Sequence, residues 1–369
     1  MTLKNLKSVL VVAPKSAKGG VKTLVEKVAT ALELEGIKVV RYLAEETLTR
    51  LPIIDFHLGD LVRHISLDAP YDAVLYFGWP TGIGSLVDKM RNTSIIVFVS
   101  GHPGYEHLKI IHNSSLSLRT RVGATVYLSY WKFIRKIDIV DLWVCHTITV
   151  AEELDLLNHN YVILRQFVLP FEISQYQDFK NKVYSLATNE KSSKVRVFAY
   201  LSYADLPGLK LNDLLRIFKY IKRRVKRNVE FFIEDPRQKE ITRIDYDIYL
   251  LGRMARADFL KLLSTSDLHI ETSIDEELRL TSIDAALFSV PVAKITASHF
   301  IERQDFTENE VIIAKSVSEF VDKVIEYIEN VNYYKDIYSK NIFRFVTTKR
   351  IWDAVKEPFL QTLQRLLSI

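Results

Sequence analysis

Glycine is scarce in this chain. There are 12 in 369 residues, about 3% against a usual ~7%, and none follows Gly252. Any tight turn in the last third must be built without it. Cysteine is scarcer still. A single Cys145 excludes an internal disulfide, argues against a secreted disulfide scaffold and fits a reducing compartment. Long apolar runs are missing as well. No window reaches the ~18 uncharged residues of a spanning helix. Val9–Ala13 is too short for a signal-peptide core before Pro14 and Lys15. Charge of one sign is also lacking: 50 Lys and Arg against 45 Asp and Glu leave +5. That invites anionic partners but is far from a dedicated nucleic-acid binder, so no nucleic acid is expected. A soluble, cytoplasmic protein is the expectation.

What is present is ample core material. With 48% hydrophobic residues, global disorder is excluded, and the length suits two domains. Ser8–Ala13 reads as a buried strand, and Val21–Glu35 has helical spacing at Leu24, Val25, Val28, Ala31 and Leu32. Gly36 stops that helix, and Lys38–Leu43 reads as the next strand. Ala73–Phe77, Ile95–Val99 and Val162–Val168 continue the series. A second series starts at Val195–Leu201. It runs through helix Leu211–Lys226, strands Val229–Ile233 and Ile248–Leu251, helix Ala257–Ser264, strand Leu268–Glu271, helix Ser282–Phe288 and strand Val290–Lys294. Helices over Ser318–Glu329 and Lys349–Leu367 close it.

Strands alternating with helices imply parallel sheets covered on both faces. The expected fold class is α/β, two tandem Rossmann-like domains facing a cleft. The expected boundaries are 1–172, a polar linker 173–194, a second domain 195–345, and a terminal helix 346–369 that packs back on the first. Ligands of such sheets bind at the carboxyl ends of the strands.

Two resemblances meet in the loop after the first strand. Ala17-Lys18-Gly19-Gly20-Val21-Lys22-Thr23 resembles the phosphate loop of partition-type ATPases, KGGVGKT, in which backbone N–H groups cradle phosphates. One glycine of that loop is missing here, and no strand ends in a metal-holding Asp. The longer stretch GGVKTLVEKVATALELEGIKVVRYL resembles the opening of family 4 glycosyltransferases without a gap. Gly19 and Gly20 would then let the backbone approach a diphosphate or acceptor at the helix N-terminus. An ordinary βα turn has the same composition.

The second resemblance becomes specific in EELRLTSIDAALFSVPVA, Glu276–Ala293. It is similar to that family's E-x7-E segment, with Glu276 and Asp284 eight apart and Leu280, Ala285, Pro291 and Val292 in register. Upstream, YLLGRMARADFLKLLSTSDLHIETS matches the family's lead-in through Gly252 and Asp267. Glu277, Arg279 and Ser289 stand where the family has glycine. A carboxylate accepts paired hydroxyl hydrogen bonds, so Glu276 suits sugar hydroxyls and Asp284 ribose hydroxyls. The N–H groups of Leu278, Arg279, Leu280 and Thr281 lie toward a helix start, where a diphosphate binds. A surface acidic turn is the bland reading of the same residues.

The resemblance also implies cations after the second domain's first strand that neutralise a leaving diphosphate in place of a metal. In YLSYADLPGLKLNDLL, Lys210 occupies the lysine position. Ser202 and Tyr203 stand where an arginine would, and Arg253, after Gly252, is a substitute. His102, in Ser100–Gly104 after a first-domain strand, resembles the family's cleft histidine. Trp79 offers a stacking platform for an acceptor sugar. Both also read as plain turn residues.

Two basic segments complete the reading. Lys132, Arg135 and Lys136 beside Tyr130, Trp131 and Phe133 leave room for peripheral contact with the inner face of a membrane, although a half-buried helix suits the segment as well. Lys219, Lys222, Arg223, Arg224, Lys226 and Arg227 crowd one helix; the run suits contact with anionic lipid or nucleic acid, and a solvated face is the favoured reading. As a whole, the resemblance implies a GT-B glycosyltransferase that moves a sugar from a nucleotide-diphosphate donor to a glycan, lipid or protein acceptor. It implies retention of anomeric configuration and no metal or other cofactor. Two other readings remain: a degenerate GT-B protein that binds glycan or nucleotide without transfer, and the partition-type ATPase.

Overall fold

The computed structural model describes residues 6–14, 20–44, 49–51, 54–56, 71–77, 93–99, 125, 129, 140–153, 156, 158–186, 194–201, 209–236, 238 and 240–367. The chain divides into two compact units, Met1–Arg165 with Val355–Ile369, and Gln166–Ala354.

The first unit is built on β1 (Ser8–Pro14), α1 (Gly20–Leu34), β2 (Lys38–Ala44), a small antiparallel pair β3 (Thr49–Leu51) and β4 (Ile54–Phe56), then β5 (Ala73–Phe77), β6 (Ser94–Val99), β7 (Leu142–Cys145), α2 (Ile148–Glu153) and β8 (Tyr161–Ile163). The six-stranded sheet has the order β2-β1-β5-β6-β7-β8, parallel throughout. Residues 9–13 and 73–77 are buried without alternation, as strands covered on both faces must be. α1 turns Val25, Val28, Ala29 and Leu32 inward. Gly36, at φ +80°, ends it in the left-handed conformation that glycine adopts freely. The terminal helix supplies buried Phe359, Leu360 and Leu363 to this unit. There Lys356 pairs with Glu35 at 2.8 Å, and the Phe359 ring meets Phe98 edge-on, 5.8 Å between centroids.

The second unit contains α3 (Pro170–Leu186), β9 (Val195–Tyr200), α4 (Leu211–Arg224), β10 (Val229–Glu234), β11 (Thr242–Asp245), β12 (Ile248–Leu251), α5 (Arg256–Ser264), β13 (Leu268–Glu271), α6 (Leu280–Leu287), β14 (Val292–Ile295), β15 (Ile312–Ala314), α7 (Val317–Glu329) and α8 (Val331–Lys349). The last helix, α9 (Trp352–Leu366), begins here. The seven strands run β11-β12-β10-β9-β13-β14-β15, all parallel except the β11–β12 hairpin. The chain builds outward from β9 in one direction and then returns to its other side with β13. The switch point therefore lies between β9 and β13, and the crevice at their carboxyl ends is where such a sheet takes a ligand.

Four sequence expectations need correction. Residues 173–194 are mostly not linker. α3 is a helix whose Ile173, Tyr176, Phe179 and Val183 recur every three or four residues, and the Tyr176 and Phe179 rings pack tilted against Phe288, with centroids 4.9 and 5.9 Å away. Its polar majority hid that period. The strand expected at Val162–Val168 stops at Ile163, because Val168 instead bridges to Ile351. The segment Val126–Cys145, for which a half-buried helix is the simpler expectation, closes on the fully buried strand β7 over its last four residues. Finally, the units divide at Arg165 and Val355, not at 172 and 346. No described helix is long and apolar enough to cross a membrane.

Candidate functional site

The crevice of the second unit is walled by the residues after β13. Glu271 ends that strand, and both of its carboxylate oxygens are used. One accepts from the Ser273 N–H and hydroxyl, each at 3.1 Å. The other accepts from the Arg279 N–H at 3.2 Å and the Ser282 hydroxyl at 2.7 Å. This buried carboxylate thus folds the loop 272–279 onto the start of α6. Asp275 accepts from the Glu277 N–H at 3.2 Å and pairs with Arg279. Beneath them Lys294, fully buried on β14, donates to the Asp275 and Glu277 carbonyls at 2.8 and 2.7 Å. Burial lowers its pKa, and Asp275 and Glu271 oppose that shift. The Glu271 and Asp275 carboxylates would not stay in a buried loop without such partners.

Glu277 stands where the resembling family has glycine, and its charge is not turned on the crevice. Arg350, fully buried at the end of α8, donates to Glu277 Oε1 at 2.6 Å and to Asp305 Oδ1 at 2.6 Å. Its third contact is the Gln166 carbonyl at 3.0 Å. Burial works against the charge on Arg350, and Glu277 and Asp305 outweigh it, so its pKa is raised. Glu276 is buried, and Leu278 is buried beside it.

α6 begins at Leu280, and among the described residues no protein acceptor takes the Leu280 or Thr281 N–H. Two unclaimed N–H groups at a helix N-terminus suit an anion. The Arg279 side chain, by contrast, is committed to Asp275. One turn into α6, Asp284 is 4% exposed. It accepts from the Tyr176 hydroxyl of α3 and pairs with Arg256 of α5 at 2.8 Å. Burial, with Asp284 beside it, holds the Tyr176 hydroxyl above the usual phenol range. Arg256 also donates to that hydroxyl at 2.9 Å.

Lys210 lies at the start of α4, with its N–H on Asp213 at 3.0 Å. The neighbouring Leu209 N–H donates to the Thr272 carbonyl at 2.8 Å, which brings the lysine position alongside the 272–279 loop. Gly252 is buried at the end of β12, and Arg253 is exposed. Glu234 closes β10 next to them. Its Oε1 accepts from the Met254 N–H at 3.2 Å, and its buried Oε2 has no hydrogen-bond partner among the described residues. Burial pushes this carboxyl up to about 7, against the Met254 N–H, Arg256 and Arg253.

The second-unit candidates Lys210, Gly252, Arg253, Glu276, Leu278, Arg279, Leu280, Thr281 and Asp284 thus all belong to the carboxyl edge of one sheet. Gly20 starts α1 in the first unit. Gly19, Trp79 and His102 lie outside the described residues, as do Ser202, Tyr203 and the 130–136 segment. Sequence reasoning missed Tyr176, Glu234, Glu271, Arg256, Lys294 and Arg350. An acid closing an apolar strand, in VEFFIE and LHIE, was the available signal for two of them. Tyr176 and Arg350 had none.

No protein-family model matches the chain, and no curated protein matches it. Solved structures do. Sucrose-phosphate synthase from Thermosynechococcus elongatus superposes with a TM-score of 0.69 at 10% identity, over 98% of this chain and 99% of the other. The catalytic domain of starch synthase IV from Arabidopsis thaliana, bound to ADP and acarbose, gives 0.66 at 11%, over 99% and 100%. The Anabaena protein HepE in complex with UDP-glucose gives 0.61 at 14%, over 98% of both chains. The chain has the GT-B fold of these proteins.

Proposed function

We propose that the protein is a glycosyltransferase that moves a sugar from a nucleotide-diphosphate donor to a hydroxyl of a glycan acceptor. The observation that carries this is the crevice between β9 and β13. There a buried carboxylate scaffold holds the Leu280 and Thr281 N–H groups open and sets Asp284 one turn behind them. A nucleoside diphosphate fits that order, with phosphates at the helix N-terminus and ribose hydroxyls toward Asp284. The fold supports it, because HepE was solved with UDP-glucose and the starch synthase with ADP. The same likeness speaks for transfer over the partition-type ATPase.

In this reading the second unit holds the donor. Lys210 and the α6 N–H groups stabilise charge that grows on the departing diphosphate, which is the dominant demand of the step. Glu276 orients the transferred sugar. His102 and Trp79, which lie outside the described residues, are assigned to the acceptor by the sequence resemblance alone. No protein nucleophile is assigned. The acceptor hydroxyl passes its proton to the departing phosphate on the same face of the sugar, so anomeric configuration is retained, and no metal is required.

A panel of nucleotide sugars assayed for transfer and for donor hydrolysis tests this. Turnover is expected with at least one donor in the presence of a chelator. Glu276→Ala and Lys210→Ala are expected to lower it by at least ~100-fold. Nucleotide binding without turnover of any donor would establish a binder in place of an enzyme.

A further inference from the structure

We infer that the outward face of α4, together with the β11–β12 hairpin beside it, docks on an anionic lipid bilayer. From 211 to 227 the chain carries seven cations and one acid, although the whole chain is only +5. α4 turns Leu214, Ile217, Phe218 and Ile221 into the core. Arg216, Lys219, Tyr220, Arg223 and Arg224 recur every three or four residues on the exposed side, which makes them one stripe. Arg216, Lys219 and Arg223 have no ion-pair partner among the described residues.

The hairpin adds apolar surface to this charge. β11 is the edge strand of the sheet, and each of its residues is exposed. Ile241 and Tyr246 are 74% and 71% exposed, and Ile244 is exposed between them. Tyr246 joins the two elements: Lys222 of α4 lies 5.6 Å from its ring and Arg243 of β11 lies 4.6 Å away. Tyr220, also exposed, sits under Arg224 at 5.4 Å. Asp245 is the opposing charge on β11, and its carboxylate accepts from the Tyr246 N–H at 2.7 Å. Asp247 is held by Lys194 and Lys222, both at 3.2 Å.

The combination selects the occupant. A second copy of the same face would meet its own cations. A nucleic acid would match the cations but leave Ile241 and Ile244 in water. An anionic bilayer takes both, with its phosphates on the arginines and lysines and its acyl boundary on the isoleucines and the tyrosine.

Flotation of the full chain with vesicles tests this, using phosphatidylcholine alone and an equal mixture with phosphatidylglycerol. Capture is expected on the mixed vesicles only, and it should weaken as salt is raised. The triple variant Arg216→Glu, Lys219→Glu, Arg223→Glu should lose capture at least tenfold, and the pair Ile241→Ser, Tyr246→Ser several-fold. All five side chains are exposed, and unchanged thermal melts will separate lost docking from lost folding. Capture on neutral vesicles, or capture that survives the triple variant, overturns the assignment. So does a response to the charge changes with none to the serine pair, or binding to an RNA oligonucleotide with no capture on vesicles.

Discussion

Arg350 and Glu277, 73 residues apart in sequence, meet at 2.6 Å with both side chains fully buried. Arg350 also donates to the Gln166 carbonyl, and its own carbonyl accepts from the Val168 N–H at 2.7 Å. One guanidinium therefore joins the loop before α6 to the start and the end of the second unit. Removing it takes the guanidinium away from a buried carboxylate. Arg350→Met is expected to cost about 3–5 kcal/mol in denaturant unfolding. Glu277→Gln in the same background should recover part of that loss, and a double-mutant cycle measures the coupling. A cost under about 1 kcal/mol would remove the pair from the scaffold.

Ser289 bears on the shortage of glycine. It has φ +58°, the left-handed conformation that costs a side-chain residue energy and glycine none. The turn closes α6 through Ser289 N–H to the Ala286 carbonyl and Val290 N–H to the Ala285 carbonyl, both at 2.8 Å. The backbone thus keeps a glycine-type turn without the glycine. Ser289→Gly is expected to stabilise the protein by up to about 1 kcal/mol, read as a higher melting temperature, with no change in secondary structure by circular dichroism.

Glu234 gives the protein a pH dependence. Its carboxyl is raised to about 7 by burial. A raised acid binds its proton more tightly in the folded state than in the unfolded chain, so its contribution is complete below the unfolded value of 4.5 and is lost as pH rises through about 7. Stability should therefore fall between pH 5 and pH 8. Glu234→Gln keeps an oxygen for the Met254 N–H and has no charge to bury. It should flatten that slope and be more stable than wild type at pH 8, by about 2 kcal/mol. Melting temperatures of the two proteins across this range check it.

Asp284 shares its carboxylate with Tyr176 and Arg256. If ribose hydroxyls bind there, Asp284→Ala should weaken UDP or ADP binding at least tenfold, about 1.4 kcal/mol. Tyr176→Phe removes one donor and leaves the carboxylate in place, so affinity should stay within about threefold. Calorimetric titration of both variants separates them. Equal losses would mean that Tyr176 and Asp284 serve the fold of α3 against α6 and not the ligand.

Much of this was legible beforehand for a physical reason. Ala73–Phe77, Ile248–Leu251 and Leu268–Glu271 read as strands to the residue, because a short apolar run bounded by turn residues leaves a buried parallel strand few alternatives. The EELRLTSID segment stood out because its carboxylate spacing and flanking residues lie within one stretch of chain. α3 escaped because its apolar stripe is thin and its polar residues dominate the composition. Tyr176 escaped with it, since nothing local marks a tyrosine as the partner of a carboxylate 108 residues away.

By itself, the sequence determined the two α/β series and the position of the loop before α6, because local periodicity and spacing are written along the chain. Tertiary structure alone decided the order of the strands, and so the crevice between β9 and β13. It also decided that Glu277 would face Arg350, that Asp284 would be shared with Tyr176 and Arg256, and that Ser289 would take a glycine's conformation. These outcomes depend on which distant groups burial brings together. A buried charge is stable only beside its partner, and the identity of that partner has no signature near either residue.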